Sequence, residues 1–264
     1  SRMQGAQFRW LNEKLYTCSG EEAFAMMQED SQMFTNYHTG FQTQTAGWPV
    51  KPVHVAIRFV ESLRKKKGGG GGVTVADFGC GDAELAAHFA EARATTRKAG
   101  EGGAAGSKKK RRKSGGPGDN GGRVTCHSFD LVSENPLVHA CNMAAVPLEA
   151  QTCDVAVFCL ALMGNDYPLF LREASRVLKP GGTCWIAEVR SRFSQVKGGD
   201  GAGSDFVKCM ARHLGCELRS HDNANKMFVT YVFEMPLEKT PEPASDEAFV
   251  AKWPKLSSCM YKKR

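Results

Sequence analysis

The segment that decides the fold is the glycine turn at residues 75–83, which reads VADFGCGDA. The apolar run from Val73 to Phe78 has the composition of a strand buried on both faces. Gly79 and Gly81 then allow the backbone to turn sharply and to approach a ligand closely. A helix is expected to begin at Asp82. A strand, a glycine turn and a helix N-terminus in this order are typical of a ligand site in an α/β protein.

Strands and helices alternate along the chain beyond this turn. Further strands are predicted at residues 124–129, 138–141, 154–160 and 183–189, a closing hairpin at 216–221 and 227–234, helices at 53–67, 82–92, 167–178 and 204–214, and a turn at 179–182. This alternation predicts a seven-stranded, mostly parallel α/β sheet with helices on both faces. Helix-capping signals at Ser19 and Asp30 predict more helices upstream. We therefore expect an N-terminal helical cap at 1–67 and a core domain at 73–264.

Residues 93–122 differ in composition from the rest of the chain. They hold nine basic and two acidic residues, which accounts for the whole net charge of +7, and almost no large apolar side chains. A segment of this kind cannot join a hydrophobic core, so we expect a disordered, basic, Gly-rich insertion in the core domain. It is a solvated linker, a nuclear import signal or a nucleic-acid tether.

Composition excludes several classes of protein. Of the 264 residues, 42% are hydrophobic and 24% charged, which is ordinary for a globular chain. The longest apolar run, Val155 to Met163, is about half of what a membrane span needs. The ten cysteines include no C-x-x-C pair. They indicate free thiols in a reducing compartment, without disulfides or a metal site.

The residues around the glycine turn discriminate between two cofactors. A dinucleotide fingerprint needs a third glycine where this chain has Glu84, and that carboxylate would repel a pyrophosphate. S-adenosyl-L-methionine carries no phosphate, and the carboxylate of Asp77 suits its ammonium group. The turn therefore favours S-adenosylmethionine over a dinucleotide. A purely structural turn without a ligand is the third alternative.

A second carboxylate lies at the spacing expected for a ribose ligand, about 20 residues after the turn. Asp130 lies 49 residues beyond Gly81, and the gap becomes 19 when the 30-residue basic segment is removed. This agreement supports both Asp130 as the ribose ligand and 93–122 as an insertion. Asp130 as a simple helix cap is the alternative.

Two further strand ends add candidate cofactor contacts. Asn142 follows the third strand, where it can reach an adenine amino group, and Met143 can pack on the ring. Cys159 ends the fourth strand, beside the reacting methyl group in such a sheet. No Asn/Asp-Pro-Pro-aromatic motif for exocyclic amines follows it, and no proline precedes Cys159, which disfavours covalent cysteine catalysis.

These stretches together resemble the nucleomethylin family, also called the ribosomal RNA-processing protein 8 family. Two terminal motifs make the resemblance specific: Tyr37-His38-x-Gly40-Phe41-x-x-Gln44 with Trp48-Pro49, and the final residues 259–264. The resemblance covers nearly the whole chain, and its internal stretches are residues 76–82, 129–131, 154–164, 176–182 and 187–193.

The resemblance implies a class I, Rossmann-like methyltransferase that methylates adenine N1 in large-subunit ribosomal RNA, within the nucleolus. Carried over by position, the cofactor contacts are His38, Gly79, Asp130, Asn142, Met143 and Cys159, to which the residue analysis adds Asp77 and Gly81. Members of the family carry aspartate at position 142, so Asn142 predicts weaker cofactor binding, by about 1 kcal/mol. His38 as an ordinary packed histidine is the alternative.

The same resemblance leaves substrate and partners partly open. Arg192 is a weak candidate for a phosphate or base contact, with a surface salt bridge as its alternative. Adenine N1 offers a lone pair without a proton, so we expect positioning instead of a catalytic base. The expected partners are ribosomal RNA and nucleolar chromatin proteins, with a monomeric chain. The alternative functions are a cofactor-binding module of a nucleolar silencing complex, and protein methylation.

Overall fold

A computed structural model describes residues 2–68, 71–91, 122–193, 203–238 and 245–259. Within these ranges the strands are β1 (Val73–Phe78), β2 (Val124–Asp130), β3 (Val138–Ala140), β4 (Cys153–Cys159), β5 (Leu178–Val189), β6 (Glu217–Asp222) and β7 (Phe228–Glu234). The helices are α1 (Arg2–Thr17), α2 (Gly20–Glu29), α3 (Ser31–Thr45), α4 (Pro52–Lys67), α5 (residues 84–91), α6 (Tyr167–Val177), α7 (Ser204–Leu214) and α8 (Asp246–Val250). A 3₁₀ turn, Arg190–Arg192, follows β5.

The seven strands form one sheet in the order β3-β2-β1-β4-β5-β7-β6. Strands β1 to β5 are parallel, whereas β7 runs antiparallel to both β5 and β6. The predicted seven-stranded, mostly parallel sheet is therefore confirmed. The chain moves outward from β1 through β2 to β3 and returns to the other side of β1 with β4. This reversal places a topological switch point between β1 and β4, where α/β proteins bind ligands.

Helices cover both faces of the sheet, and successive strand residues point to opposite faces. On one face, Phe78 and Phe158 pack with apolar residues of α6, α7 and α8. On the other face, Val75 and Val157 pack with residues of α4 and α5. This double burial explains why the central strands read as continuous apolar runs.

The strand β5 begins earlier than its sequence predicts. Leu178 already pairs with Cys153 of β4, and regular pairing resumes with Thr183 opposite Val155. The intervening residues, which include Gly181 at φ +68°, form an irregularity within the strand. The predicted turn at 179–182 therefore lies inside β5.

The N-terminal helices begin where the capping signals predict. Ser19 Oγ accepts a hydrogen bond from the Glu22 amide, and the Glu22 carboxylate accepts one from the Ser19 amide, which completes a capping box. Asp30 caps α3 by accepting from the Gln32 amide. Helices α1 to α3 enclose a small apolar core of their own, which includes Leu11, Met27 and Phe34 and contacts Leu131 and Met163 at the strand ends.

This packing changes the boundary of the expected cap. Helices α1–α3 form the layer over the strand ends, whereas α4 packs on the sheet face and belongs to the core. The expected insertion, 93–122, lies outside the described residues except for Gly122. No helix of the described ranges is long and apolar enough to cross a membrane. Among the same residues, no three His, Cys, Asp or Glu side chains are grouped as metal ligands.

Candidate cofactor site

A cavity of about 260 Å³ lies at the carboxyl ends of the central strands, beneath α1–α3. Its floor is formed by residues at and just beyond the carboxyl ends of β1, β2, β3 and β4, and its roof by side chains of the N-terminal helices. All eight predicted cofactor residues line this cavity: His38, Asp77, Gly79, Gly81, Asp130, Asn142, Met143 and Cys159. The sequence places the seven floor residues up to 82 positions apart, and the sheet topology brings them to one edge, whereas α3 supplies His38 from the roof.

The glycine turn is held in a conformation that other residues rarely adopt. Gly79 has φ +69° and Gly81 has φ +56°. A Cβ atom on Gly79 would lie 2.6 Å from the Ala161 side chain, and one on Gly81 would lie 3.2 Å from the His38 ring. The amides of Gly79 and Cys80 both donate to the Phe129 carbonyl. Both glycines are therefore required for backbone conformation and for close approach.

The carboxylate of Asp130 holds the turn and also faces the cavity. One oxygen accepts from the Gly81 amide at 2.7 Å, and the other accepts from the Leu131 amide at 2.8 Å. Each oxygen keeps lone-pair capacity for a further donor. The alternative role as a helix cap is excluded, since the residues after Asp130 are not helical.

Asp77 is the buried acid at the centre of the floor. Its side chain is only 3% exposed, and it has no hydrogen-bond partner within the described part of the chain. Burial, reinforced by the neighbouring Asp130 carboxylate, raises the pKa of Asp77 to about 7. An ionised carboxylate here lacks a compensating donor, which a cationic ligand would supply.

The remaining floor residues lie towards β3 and β4. Asn142 Oδ1 accepts from the Ala144 amide at 3.0 Å and lies directly beneath Gly20 of α2, where a Cβ would come within 2.8 Å of it. Burial raises the pKa of the Cys159 thiol well above its ordinary value. Cys159 therefore stays a neutral thiol at the end of β4, whereas covalent catalysis would need a thiolate.

Comparison with known proteins places this site in a family. A family model described as "Hypothetical methyltransferase" matches residues 1–97 and 119–264. "Ribosomal RNA-processing protein 8" of Arabidopsis thaliana is 41% identical over 263 residues, which cover 100% of this chain and 76% of that protein. The "25S rRNA (adenine(645)-N(1))-methyltransferase" of Schizosaccharomyces pombe is 38% identical, with coverage of 100% and 70%. The chain belongs to the ribosomal RNA-processing protein 8 family of methyltransferases.

A solved structure has the same fold at low sequence identity. It is the 1,6-didemethyltoxoflavin N1-methyltransferase of Burkholderia thailandensis, described with bound 1,6-didemethyltoxoflavin and S-adenosylhomocysteine. The TM-score is 0.50 at 16% identity, over 83% of this chain and 91% of that chain. This likeness confirms the class I methyltransferase fold for the ribosomal RNA-processing protein 8 family member.

The roof of the cavity contains residues that the site prediction missed. Tyr37, Phe41 and Gln42 line it together with His38, all from α3. Gln42 donates to the Asp82 carboxylate at 2.5 Å and so ties α3 to the glycine turn. The signal for Tyr37 and Phe41 lay in the Tyr37–Gln44 motif of the family, which the sequence analysis used only for recognition, whereas Gln42 occupies an unspecified position of that motif.

Gly40 of this motif explains how α3 is positioned. A Cβ atom at Gly40 would collide with the ring of Phe8 in α1. Because Gly40 has no side chain, α1 and α3 can pack closely. This packing places the next turn of α3 against the cavity. The family motif therefore combines a packing glycine with side chains that line the cavity.

Arg192 does not reach the cavity. Its side chain is 1% exposed and pairs with Glu188 at 2.8 Å. It donates to the carbonyls of Leu162 and Ser257, and its guanidinium lies 4.7 Å from the centre of the Tyr16 ring. This placement corrects the prediction of a phosphate or base contact. The alternative of a surface salt bridge is corrected as well, because both partners are fully buried.

Proposed function

We propose that this chain transfers a methyl group from S-adenosyl-L-methionine to N1 of an adenine in large-subunit ribosomal RNA, during ribosome biogenesis. The observation that carries the proposal is the cavity in which the glycine turn meets the carboxylates of Asp77 and Asp130. Two fungal relatives, of Schizosaccharomyces pombe and Saccharomyces cerevisiae, are both named 25S rRNA (adenine(645)-N(1))-methyltransferase, which supports the same substrate and the same atom.

The charges of the cavity fit this cofactor better than a dinucleotide. Asp77 is buried without a donor, and an ammonium group supplies one. The two Asp130 oxygens each hold one backbone amide and can accept one ribose hydroxyl each. A pyrophosphate would instead face both carboxylates, and Glu84 as well, all of which border the cavity. S-adenosylhomocysteine is the product expected in the same site.

The other floor residues take supporting roles in this proposal. Asn142 Oδ1 accepts from the adenine amino group, and Met143 packs on the adenine ring. His38 borders the turn at Gly81 and contacts the cofactor from the roof. Cys159 contacts it from the end of β4 as a neutral thiol.

Methylation of adenine N1 requires the protein mainly to position the two reactants. When bound, S-adenosylmethionine supplies an electrophilic methyl group on a sulfonium. Adenine N1 has an in-plane lone pair and no proton to lose, so no general base is needed. The contribution of the chain is to bind the cofactor, exclude water beneath α1–α3 and admit an unpaired base in line with the methyl group.

We also propose that basic segments supply affinity for RNA outside the cavity. The clusters are Lys65–Lys67, the segment 93–122 and residues 262–264. They would add salt-dependent affinity that is independent of sequence. An rRNA substrate in ribosome biogenesis implies work in the nucleus, within the nucleolus, where nucleolar chromatin proteins are the candidate partners.

The test is methyl transfer to unmodified large-subunit rRNA transcribed in vitro, with labelled S-adenosylmethionine and mass-spectrometric detection of N1-methyladenosine. We expect label in RNA from the wild-type chain and none from Gly79→Arg, whose side chain fills the turn. Calorimetric titration of wild type and Asp130→Ala with both cofactor forms checks the binding site. Cofactor binding without RNA methylation would favour the silencing-complex function, and label in protein would favour protein methylation.

A further inference from the structure

The roof of the cavity contains a hydroxyl group that the cofactor site leaves unused. Tyr37 projects from α3, and its phenolic oxygen lies 3.3 Å from the thioether sulfur of Met163. Within the described residues this is its only hydrogen bond. A thioether is a weak acceptor, so a phenol buried against it is poorly satisfied. Both side chains line the cavity.

The Tyr37 ring packs against three neighbouring aromatic rings. It stacks with Phe8 of α1, at 5.6 Å between ring centres and 29° between planes. It also stacks with Phe41, at 6.3 Å and 19°. The His38 ring lies perpendicular to it, at 5.4 Å and 86°. The ring of Tyr37 is therefore held by its aromatic neighbours, and its hydroxyl is the group that it can offer a ligand.

This hydroxyl lies beside the segment that follows β4, because Met163 is four residues beyond Cys159. Asp77 at the end of β1 and the glycine turn after it lie next to β4 in the sheet order, whereas Asn142 follows β3 at the sheet edge. A ligand atom that meets Tyr37 therefore lies beside the residues that follow β4.

The surroundings of the hydroxyl suit a flat, uncharged ring. Leu15 and Met163 border the cavity there, and Tyr37 and Met163 pack on the apolar core of α1–α3. Burial raises the pKa of Tyr37 well above its ordinary value, so the hydroxyl keeps its proton and can donate. A phosphate would find no cation among these side chains, whereas a nucleobase brings ring nitrogens and an amino group.

We propose that this β4-side end of the cavity is the subsite for the target adenine, and that the Tyr37 hydroxyl is its polar anchor. The proposal rests on the proposed function and deepens it, since it assigns a residue to recognition of the base. Tyr37 exchanges the weak contact with Met163 for a hydrogen bond to the edge of the unpaired base. Occupancy by the purine thus gives the hydroxyl a stronger acceptor or donor than the Met163 thioether.

The first experiment removes the hydroxyl alone. Tyr37→Phe keeps the ring stack, and we expect kcat/KM on unmodified large-subunit rRNA to fall about tenfold, the effect of one lost hydrogen bond of about 1.4 kcal/mol. The calorimetric Kd for S-adenosylmethionine should stay within twofold of wild type. Tyr167→Phe is the matched control, because its hydroxyl bonds the Pro254 carbonyl outside this cavity, and it should keep wild-type kcat/KM.

The second experiment separates recognition from structural support. Synthetic RNAs carry 3-deazaadenosine, 7-deazaadenosine or purine riboside at the position that wild type methylates. The analogue that lacks the atom bonded by Tyr37 should lower kcat/KM of the wild type about tenfold. It should leave kcat/KM of Tyr37→Phe unchanged, because that variant already lacks the hydrogen bond. Equal penalties in both proteins for all three analogues would overturn the proposal, as would unchanged kcat/KM in Tyr37→Phe. If the wild type does not methylate the rRNA, the result contradicts the proposed function itself. This outcome is therefore distinguishable from a failure of the Tyr37 proposal alone.

Discussion

We predict that the buried acid Asp77 makes cofactor affinity depend on pH. Its pKa is raised to about 7, because burial and the Asp130 carboxylate both disfavour the ionised form. The unliganded protein therefore holds this proton below pH 7, whereas an ammonium group pairs with the ionised carboxylate. Binding must expel the proton, so affinity should rise with pH and level off above 7.

The magnitude follows from the ionised fraction. With a pKa of about 7, about one tenth of Asp77 is ionised at pH 6 and about three quarters at pH 7.5. The Kd for S-adenosylmethionine should be about eightfold weaker at pH 6, a difference of about 1.2 kcal/mol. A carboxyl with an ordinary pKa near 3.8 would give no change in this range. The comparison ends at pH 7.5, because an α-amino group loses its own proton near pH 8.

Calorimetry measures both the affinity and the proton. Titrations in buffers of different ionisation enthalpy should show about 0.9 proton released at pH 6 for each cofactor bound. Asp77→Asn should bind more weakly at pH 7.5 and show a flat profile. Asp82→Asn is the matched acid-to-amide control at the exposed rim of the cavity, and it should keep the wild-type profile. A pH-independent wild-type Kd, or an Asp77→Asn profile as steep as wild type, would refute the assignment of Asp77 to the ammonium.

Three further predictions follow from the contacts. Arg192→Met should lower the free energy of unfolding by about 3–5 kcal/mol, because it leaves the buried Glu188 carboxylate without its ion-pair partner. Adding Glu188→Leu should restore part of this loss. Urea unfolding measures both variants, and a cost below about 1 kcal/mol for Arg192→Met would show that the ion pair is not needed. Asn142→Asp should tighten cofactor binding by about 1 kcal/mol in calorimetry, and an unchanged Kd would remove Asn142 from adenine recognition. Deletion of 93–122 should flatten the dependence of RNA affinity on salt while cofactor affinity is kept; an unchanged slope would make this segment a spacer or an import signal.

The predictable part of this molecule is the part encoded by local pattern. The strand before Gly79 is recognisable because burial on both faces requires an unbroken apolar run. Asp130 is predicted from its distance to the turn once the basic segment is removed, and the structure places it against Gly81 in the cavity. The capping box at Ser19 is equally local, since its two hydrogen bonds join residues three apart.

The parts that escaped prediction depend on partners distant in sequence. Tyr37 meets Met163 across 126 positions, and Arg192 donates to Leu162 and Ser257, 30 and 65 positions away. An arginine two residues beyond a strand end has the same local pattern whether it faces RNA or a buried carboxylate. Only the packing of α1 and the C-terminal segment around Arg192 decides between these outcomes.

The distribution of charge explains how one protein can bind both a cationic cofactor and a polyanion. The cavity floor places Asp77 and Asp130 together, which attracts a sulfonium and an ammonium and repels phosphate. The net positive charge of the sequence lies instead in the segment 93–122. A phosphate backbone would therefore be held at a distance from the floor, and only an uncharged base could enter. Under the proposed function, this acidic floor favours the cofactor and an uncharged, unpaired base over the phosphate backbone of the RNA.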